Sequence, residues 1–312
     1  MGLDRFGADR AVLFWSGGQD IRPPSGLSRF ERILIVPIEF DFAFLLPFAL
    51  ALLATGAFAG TLAGLLGVGG GIVIVPILYM LLPAFGVPEE LRMHLAVGTS
   101  LATIVPTGLV SAQSHWKRGG VDVDLLKKLG IFVVLGVAVG IVIGTRAGGE
   151  TLKIIFASVA LLVAVHMGLG KQEWCLSKSL PSWPGRAVIG MFIGGFSVVM
   201  GIGGGTLGVP TLSLFNVPIR RAVGTAAALG PVIALPGVIG FIISGFGEPG
   251  LPPFSLGYAN LLAFAVIVPS TIAFAPLGAK LAHTISPPLL RKAFAVFLLI
   301  TACRMAWAVF GS

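Results

Sequence analysis

Apolar and polar positions fall in long alternating blocks along this chain, not in the short rhythm of a soluble helix or strand. A helix needs roughly 20 apolar residues to cross the hydrocarbon core of a bilayer, and runs near that length recur. The first spans about residues 42–66 and ends in a glycine cluster; a shorter one, 72–85, follows. Three more run over 94–114, 125–145 and 151–169. A polar connector, 173–183, is the longest interruption. After it the order repeats, with blocks at 186–200, a short 206–215, 222–244, 256–278 and 289–310. The pattern predicts an all-α integral membrane fold of ten helical segments. It divides into an amino-terminal extension (1–41), a first transmembrane repeat (42–172), the connector (173–185) and a second repeat (186–312).

Composition supports a membrane class. Hydrophobic residues make up 56% of the 312 and charged residues 11%, with a mean hydropathy of +0.99; soluble domains carry about 25% charged residues. The net charge of +8 comes from 21 Lys and Arg against 13 Asp and Glu. No basic run is interleaved with aromatics, so nucleic acid is not the expected partner. Loop cations facing anionic lipid account for the excess. Two cysteines, Cys175 and Cys303, are too few for a disulfide framework or a thiolate metal site. The four histidines sit in separate segments, giving no His-x-x-x-His zinc pattern and no paired haem ligands. No metal or cofactor is expected. With no carboxylate deep in the apolar blocks, a cation pathway, a carboxylate proton relay and an intramembrane aspartyl protease are all disfavoured, and no enzyme is expected.

One motif interrupts the blocks twice. Gly67-Val68-Gly69-Gly70-Gly71, followed by Val75-Pro76, returns as Gly201-Ile202-Gly203-Gly204-Gly205, followed by Val209-Pro210. Ala96-Val97-Gly98-Thr99 answers Ala222-Val223-Gly224-Thr225 at the head of the third block, and Gly144-Thr145-Arg146 answers Gly278-Ala279-Lys280 at the end of the fourth. Three motifs in one order indicate an internal duplication. Five crossings per half would invert one half relative to the other. That count gathers Lys117, Arg118, Lys127, Lys128, Arg220, Arg221 and Lys280 on one side, which the positive-inside rule makes cytoplasmic.

Glycine lets the backbone leave a helix, and the freed N–H groups then need a partner. A helix that restarts after such a break presents unpaired amides and a positive dipole end, a cradle for an anion. Gly67, Gly69, Gly70, Gly71 and Ile72 in one half, with Gly201, Gly203, Gly204, Gly205 and Thr206 in the other, would enclose an anion from two sides. Hydroxyls of Thr99, Ser100, Thr206 and Thr225 would add neutral donors. Pro76 and Pro210 interrupt the helix ladder just beyond and serve as hinge positions. Gly136, Gly140 and Gly144, spaced by four, read as helix-packing positions. Arg304 reads as a cation reaching the interface, and His94 and His166 as interfacial.

The Gly-x-Gly-Gly-Gly, Val-Pro and Ala-Val-x-Thr-Ser pattern resembles that of the sulfite exporter TauE/SafE family, also called the toluene-sulfonate uptake permease family. The likeness covers about residues 45–310. It implies a multi-pass carrier, expected in a bacterial inner membrane, for sulfite, sulfonates or related organic acids. The expected partners are a small anionic substrate and membrane lipid, with the proton as a candidate coupling ion that no residue in the sequence is singled out to carry. The second copy departs from the pattern: Ala226 stands where the first has Ser100. The alternative from another class is a non-transporting assembly module whose glycines serve packing alone.

Overall fold

In lipid a backbone must satisfy its own hydrogen bonds, so apolar blocks become helices. The computed structural model describes residues 42–169, 176–177 and 179–310; the predicted extension and most of residues 170–178 lie outside these. Among the described residues there are ten α-helices. They are α1 (Phe42–Leu66), α2 (Gly71–Leu81, continued by a 3-10 turn Leu82–Phe85), α3 (Glu89–Lys117), α4 (Val123–Arg146), α5 (Gly149–Leu169), α6 (Trp183–Val199), α7 (Gly205–Leu214), α8 (Ile219–Ser244), α9 (Leu261–Thr284) and α10 (Pro287–Phe310).

Six of these, α1, α3, α4, α5, α8 and α9, are long and apolar enough to span a membrane; α2 and α6 are shorter apolar helices. The sequence reading placed block ends too far inward, because it followed hydropathy. Glu89, Glu90 and Arg92 are helical although charged, as carboxylates in a first helical turn favour. It also started the ninth block at residue 256. Residues Ser255–Leu256 and Ala259–Asn260 instead pair as a tight antiparallel hairpin, turned by Gly257 at φ +53°.

Hydrophobic burial does not drive helices together in lipid, so close backbone approach and interhelical hydrogen bonds must. α1 packs on α9, where Gly56, Gly60 and Gly64 face the partner backbone; a methyl on Gly60 would lie 2.5 Å from the Thr271 carbonyl. α4 packs on α6 in the same manner, with a methyl on Gly140 reaching 2.5 Å from the Gly195 carbonyl. Gly136 abuts the Met191 backbone, so the packing role assigned to this glycine series matches the geometry.

Further pairs are α3 with α8, α5 with α10, α3 with α9, α4 with α8, α2 with α3, and α7 with α8. α3 lies at the centre: 67% of its apolar window is buried, against 28% for α4, whose Ile131, Leu135, Val139 and Val142 face outward. An exposed face of this kind is suited to acyl chains.

Candidate substrate site

The α1 ladder stops at Leu66. Gly67, Gly69 and Gly70 then take φ of +68°, +70° and +81°, a region that side chains with a Cβ disfavour. In the second break only Gly201 does so, at +65°, while Gly204 stays helical at −60°. Helix bonding resumes with Val73 and Ile74 donating to the Gly70 carbonyl, and with Gly208 donating to that of Gly204. The amides of Gly71 and Ile72, and of Gly205 and Thr206, therefore precede the first intrahelical bond of their helices.

The two breaks meet. The Gly203 N–H donates to the Val68 carbonyl at 3.0 Å, and a methyl on Gly203 would sit 2.6 Å from that oxygen. A methyl on Gly205 would overlap the Gly67 carbonyl, one on Gly71 the Gly201 carbonyl, and one on Gly69 would come within 3.5 Å of the Gly203 Cα. Every residue of both breaks is buried. Contact is backbone to backbone, which leaves no gap between the turns at these positions.

Hydroxyl groups are distributed unequally. Ser100 on α3 donates to the Gly201 carbonyl at 2.7 Å, tying the central helix to the second break. Ser197, in the last turn of α6, and Thr206, in the first turn of α7, are both fully buried, and neither hydroxyl has a hydrogen-bond partner. The corresponding positions around the first break are Ala226, Ala63 and Ile72, all apolar. Pro76 and Pro210 lie inside α2 and α7 without ending them. Lacking an N–H, they leave the carbonyls of Ile72 and Thr206 without the usual donor four residues on.

Thr99 and Thr225 take different partners from those expected of substrate ligands. Thr99 Oγ1 accepts from the Asn260 N–H, and Thr225 Oγ1 from the Asp122 N–H, both at 2.9 Å. Asn260 and Asp122 are the N-caps of α9 and α4, their side chains accepting from Ala263 and from Asp124 and Leu125. Beside them Gly98 abuts the Tyr258 carbonyl and Gly224 the Gly120 carbonyl. In both halves Ala-Val-Gly-Thr thus docks the start of a helix from the other half. Tyr258 is buried in that contact; burial first, then the charge of Glu248, pushes its phenol pKa up and keeps it neutral.

Other polar residues emerge only in the fold. Thr99, Thr103, Thr107, Ser111 and His115 step by four along α3 and are all buried. Thr107 donates to Thr271 on α9 at 2.7 Å, Ser111 to the Ala63 carbonyl at 3.2 Å, and His115 Nε2 lies 2.7 Å from the Gly64 carbonyl. The four-residue spacing was visible in the sequence as a polar stripe on an apolar block. His94, expected at the interface, is buried within the protein, with Nδ1 3.2 Å from the Glu90 carbonyl and Nε2 3.0 Å from that of Ala147. Lys153 is also buried; it pairs with the half-exposed Glu89 at 2.8 Å and stands 5.7 Å from the Tyr79 ring centroid. Arg304 is exposed, as a cation reaching outward would be, with Nη2 3.2 Å from Met80 Sδ. Among the described residues, no group of three metal-ligating side chains occurs.

Spanning helices interrupted in matched positions, with the interruptions buried against each other, define a multi-pass integral membrane transporter. The sequence pattern of the family described as sulfite exporter TauE/SafE matches residues 52–305, and the chain belongs to that family. A probable membrane transporter protein of Haemophilus influenzae is 41% identical over 261 residues, which cover 83% of this chain and 98% of the relative. One of Methanocaldococcus jannaschii is 27% identical over 83% of this chain and 94% of its own length. A third, YunE of Bacillus subtilis, is 26% identical over 82% and 96%. No solved structure matches the chain. Membership places the protein among transporters, not enzymes.

Proposed function

We propose that the protein is a secondary carrier for a small anion, of the sulfite, sulfonate or related organic-acid class, with its site at the glycine breaks. Thr206 is the observation that carries this reading. A buried hydroxyl with no partner, in the first turn of a helix whose leading amides are also free of intrahelical bonds, is a donor set waiting for an acceptor. The family's printed name supports sulfite as the first substrate to try. In the closed arrangement the breaks fill one another. Substrate enters as they part, and the second break, with Ser197, Thr206, Gly205 and Gly204, provides most of the polar contact.

The matched packing supports inverted repeats. α1 with α9 mirrors α6 with α4, and α3 with α9 mirrors α8 with α4. Corresponding helices α3 and α8 also run in opposite directions, since the start of each lies against the segment that follows the other's end. The end carrying Arg118, Arg220 and Arg221 then faces the cytoplasm. The test uses purified protein in liposomes. Thr206→Val removes the hydroxyl and keeps the shape, so the melting temperature stays at or above that of the native protein, because no bond is lost. Sulfite or sulfonate affinity falls about tenfold, one hydrogen bond's worth. Unchanged affinity in this variant would remove Thr206 from the site, and absence of any anion flux in the native protein would overturn the reading.

A further inference from the structure

His115 and His283 belong to distant blocks, yet their ring centroids lie 5.6 Å apart. His115 is fully buried near the end of α3. Its Nε2 faces the Gly64 carbonyl, which can only accept, so Nε2 carries the hydrogen. In the neutral ring Nδ1 is then a bare lone pair, and nothing donates to it. The bond to the Gly64 carbonyl, one of the last in α1, accounts for Nε2 and leaves the buried Nδ1 without a structural role.

A narrow crevice between α3, α8 and α9 runs past both rings, lined also by Arg220, Val223 and Ala282. His283 is half-buried and Arg220 exposed, so the seam leads from His115 towards the charged loops, though as it stands it is too tight to hold a water molecule. The groups facing His115 are His283 on α9 and Arg118 just beyond α3; Arg118 and Arg220 on α8 face His283 in turn. α1 offers only the Gly64 carbonyl, and Asp122 of the neighbouring loop is engaged with Arg221 at 3.9 Å. Such surroundings repel a lone proton. Coupling is reciprocal: by whatever factor anion binding at the breaks favours a proton on the pair, that proton favours the anion.

We propose that His115 and His283 form the proton-binding site of the carrier, loaded through this crevice and filled together with the anion. The inference rests on the anion-carrier reading above and assigns its coupling ion. A proton from water passes by way of His283 to the Nδ1 lone pair of His115, giving an imidazolium with N–H on both nitrogens; release reverses the transfer. The link to the breaks is α3 itself. It carries His115 near one end and, 15 residues or about 22 Å away along the helix axis, the Ser100 hydroxyl bonded to the Gly201 carbonyl.

His115→Gln tests this. The glutamine amide can keep the N–H directed at the Gly64 carbonyl, but it cannot take a proton. Proteoliposomes enclosing a pH-sensitive dye receive a gradient of sulfite or, in a second arm, methanesulfonate, which stays ionised throughout. The native protein is expected to move protons with the anion. The variant is expected to bind the anion without pH dependence, with proton movement reduced to that of protein-free liposomes and an unchanged melting temperature. His283→Gln, at the less buried ring, supplies a second variant and should slow proton movement. Proton movement at native levels in both variants overturns the proposal, as does native anion flux with no accompanying protons. If the native protein moves neither anion, the carrier reading itself fails.

Discussion

The two glycine breaks use one backbone device and dress it differently. Around the first, three left-handed glycines turn the chain between the apolar Ala63 and Ile72. Around the second, a single left-handed glycine suffices, and Ser197, Thr206 and Ser100 surround it. The two turns share a sequence motif, and the hydroxyls flank only the second of them. Two turns that share a motif need not be alike in chemistry, even where the backbone device is the same. The first break reads as the tighter, drier partner, held by conformation. The second is the polar one, held by a serine and left with hydrogen-bonding capacity to spare.

The largest effect is expected from Gly203→Leu, because the new side chain would meet backbone and not a movable side chain. A loss of more than about 4 kcal/mol should follow, seen as failure to elute as a single species on size exclusion; a variant that purifies normally would show that the breaks do not meet. At the first break Gly70→Ala faces a different obstacle. Its methyl would press lightly on Ala59, 3.0 Å from the carbonyl oxygen, and φ of +81° is strained for alanine, at about 1–3 kcal/mol. A lowered melting temperature with measurable flux is the expected result. Ser100→Ala should cost about 1–2 kcal/mol by leaving the buried Gly201 carbonyl unpaired. The smallest change comes from Ala226→Ser, which gives α8 the hydroxyl that Ser100 gives α3. A gain of at most about 1 kcal/mol, read as a small rise in melting temperature, would mean that the Gly67 carbonyl can use it.

Ten segments were legible in the sequence because lipid as a solvent permits few alternatives to helix, and glycine clusters punctuate the blocks at fixed places. Block ends were less legible, since a helix that emerges into water can end in Glu89 or Lys117 without any apolar signal. The role of Ala-Val-Gly-Thr could not be read locally. Thr225 accepts from the Asp122 N–H across 103 positions and Thr99 from the Asn260 N–H across 161, so local sequence shows nothing of the helix starts these hydroxyls hold. The histidine pair was hidden in the same way: separate segments in the chain become neighbours only through the packing of α3 on α9.

Those reciprocal threonine bonds also bear on what can swing. Each repeat clasps a helix of its sibling: α3 holds the head of α9, and α8 that of α4, while α1 and α6 embrace the same borrowed helices. A lever consisting of residues 42–169 alone would have to tear both clasps at every stroke. The packed groups of helices are therefore interleaved, each assembled from both parts of the chain, and the polypeptide cut at its connector would yield two pieces that each lack a limb.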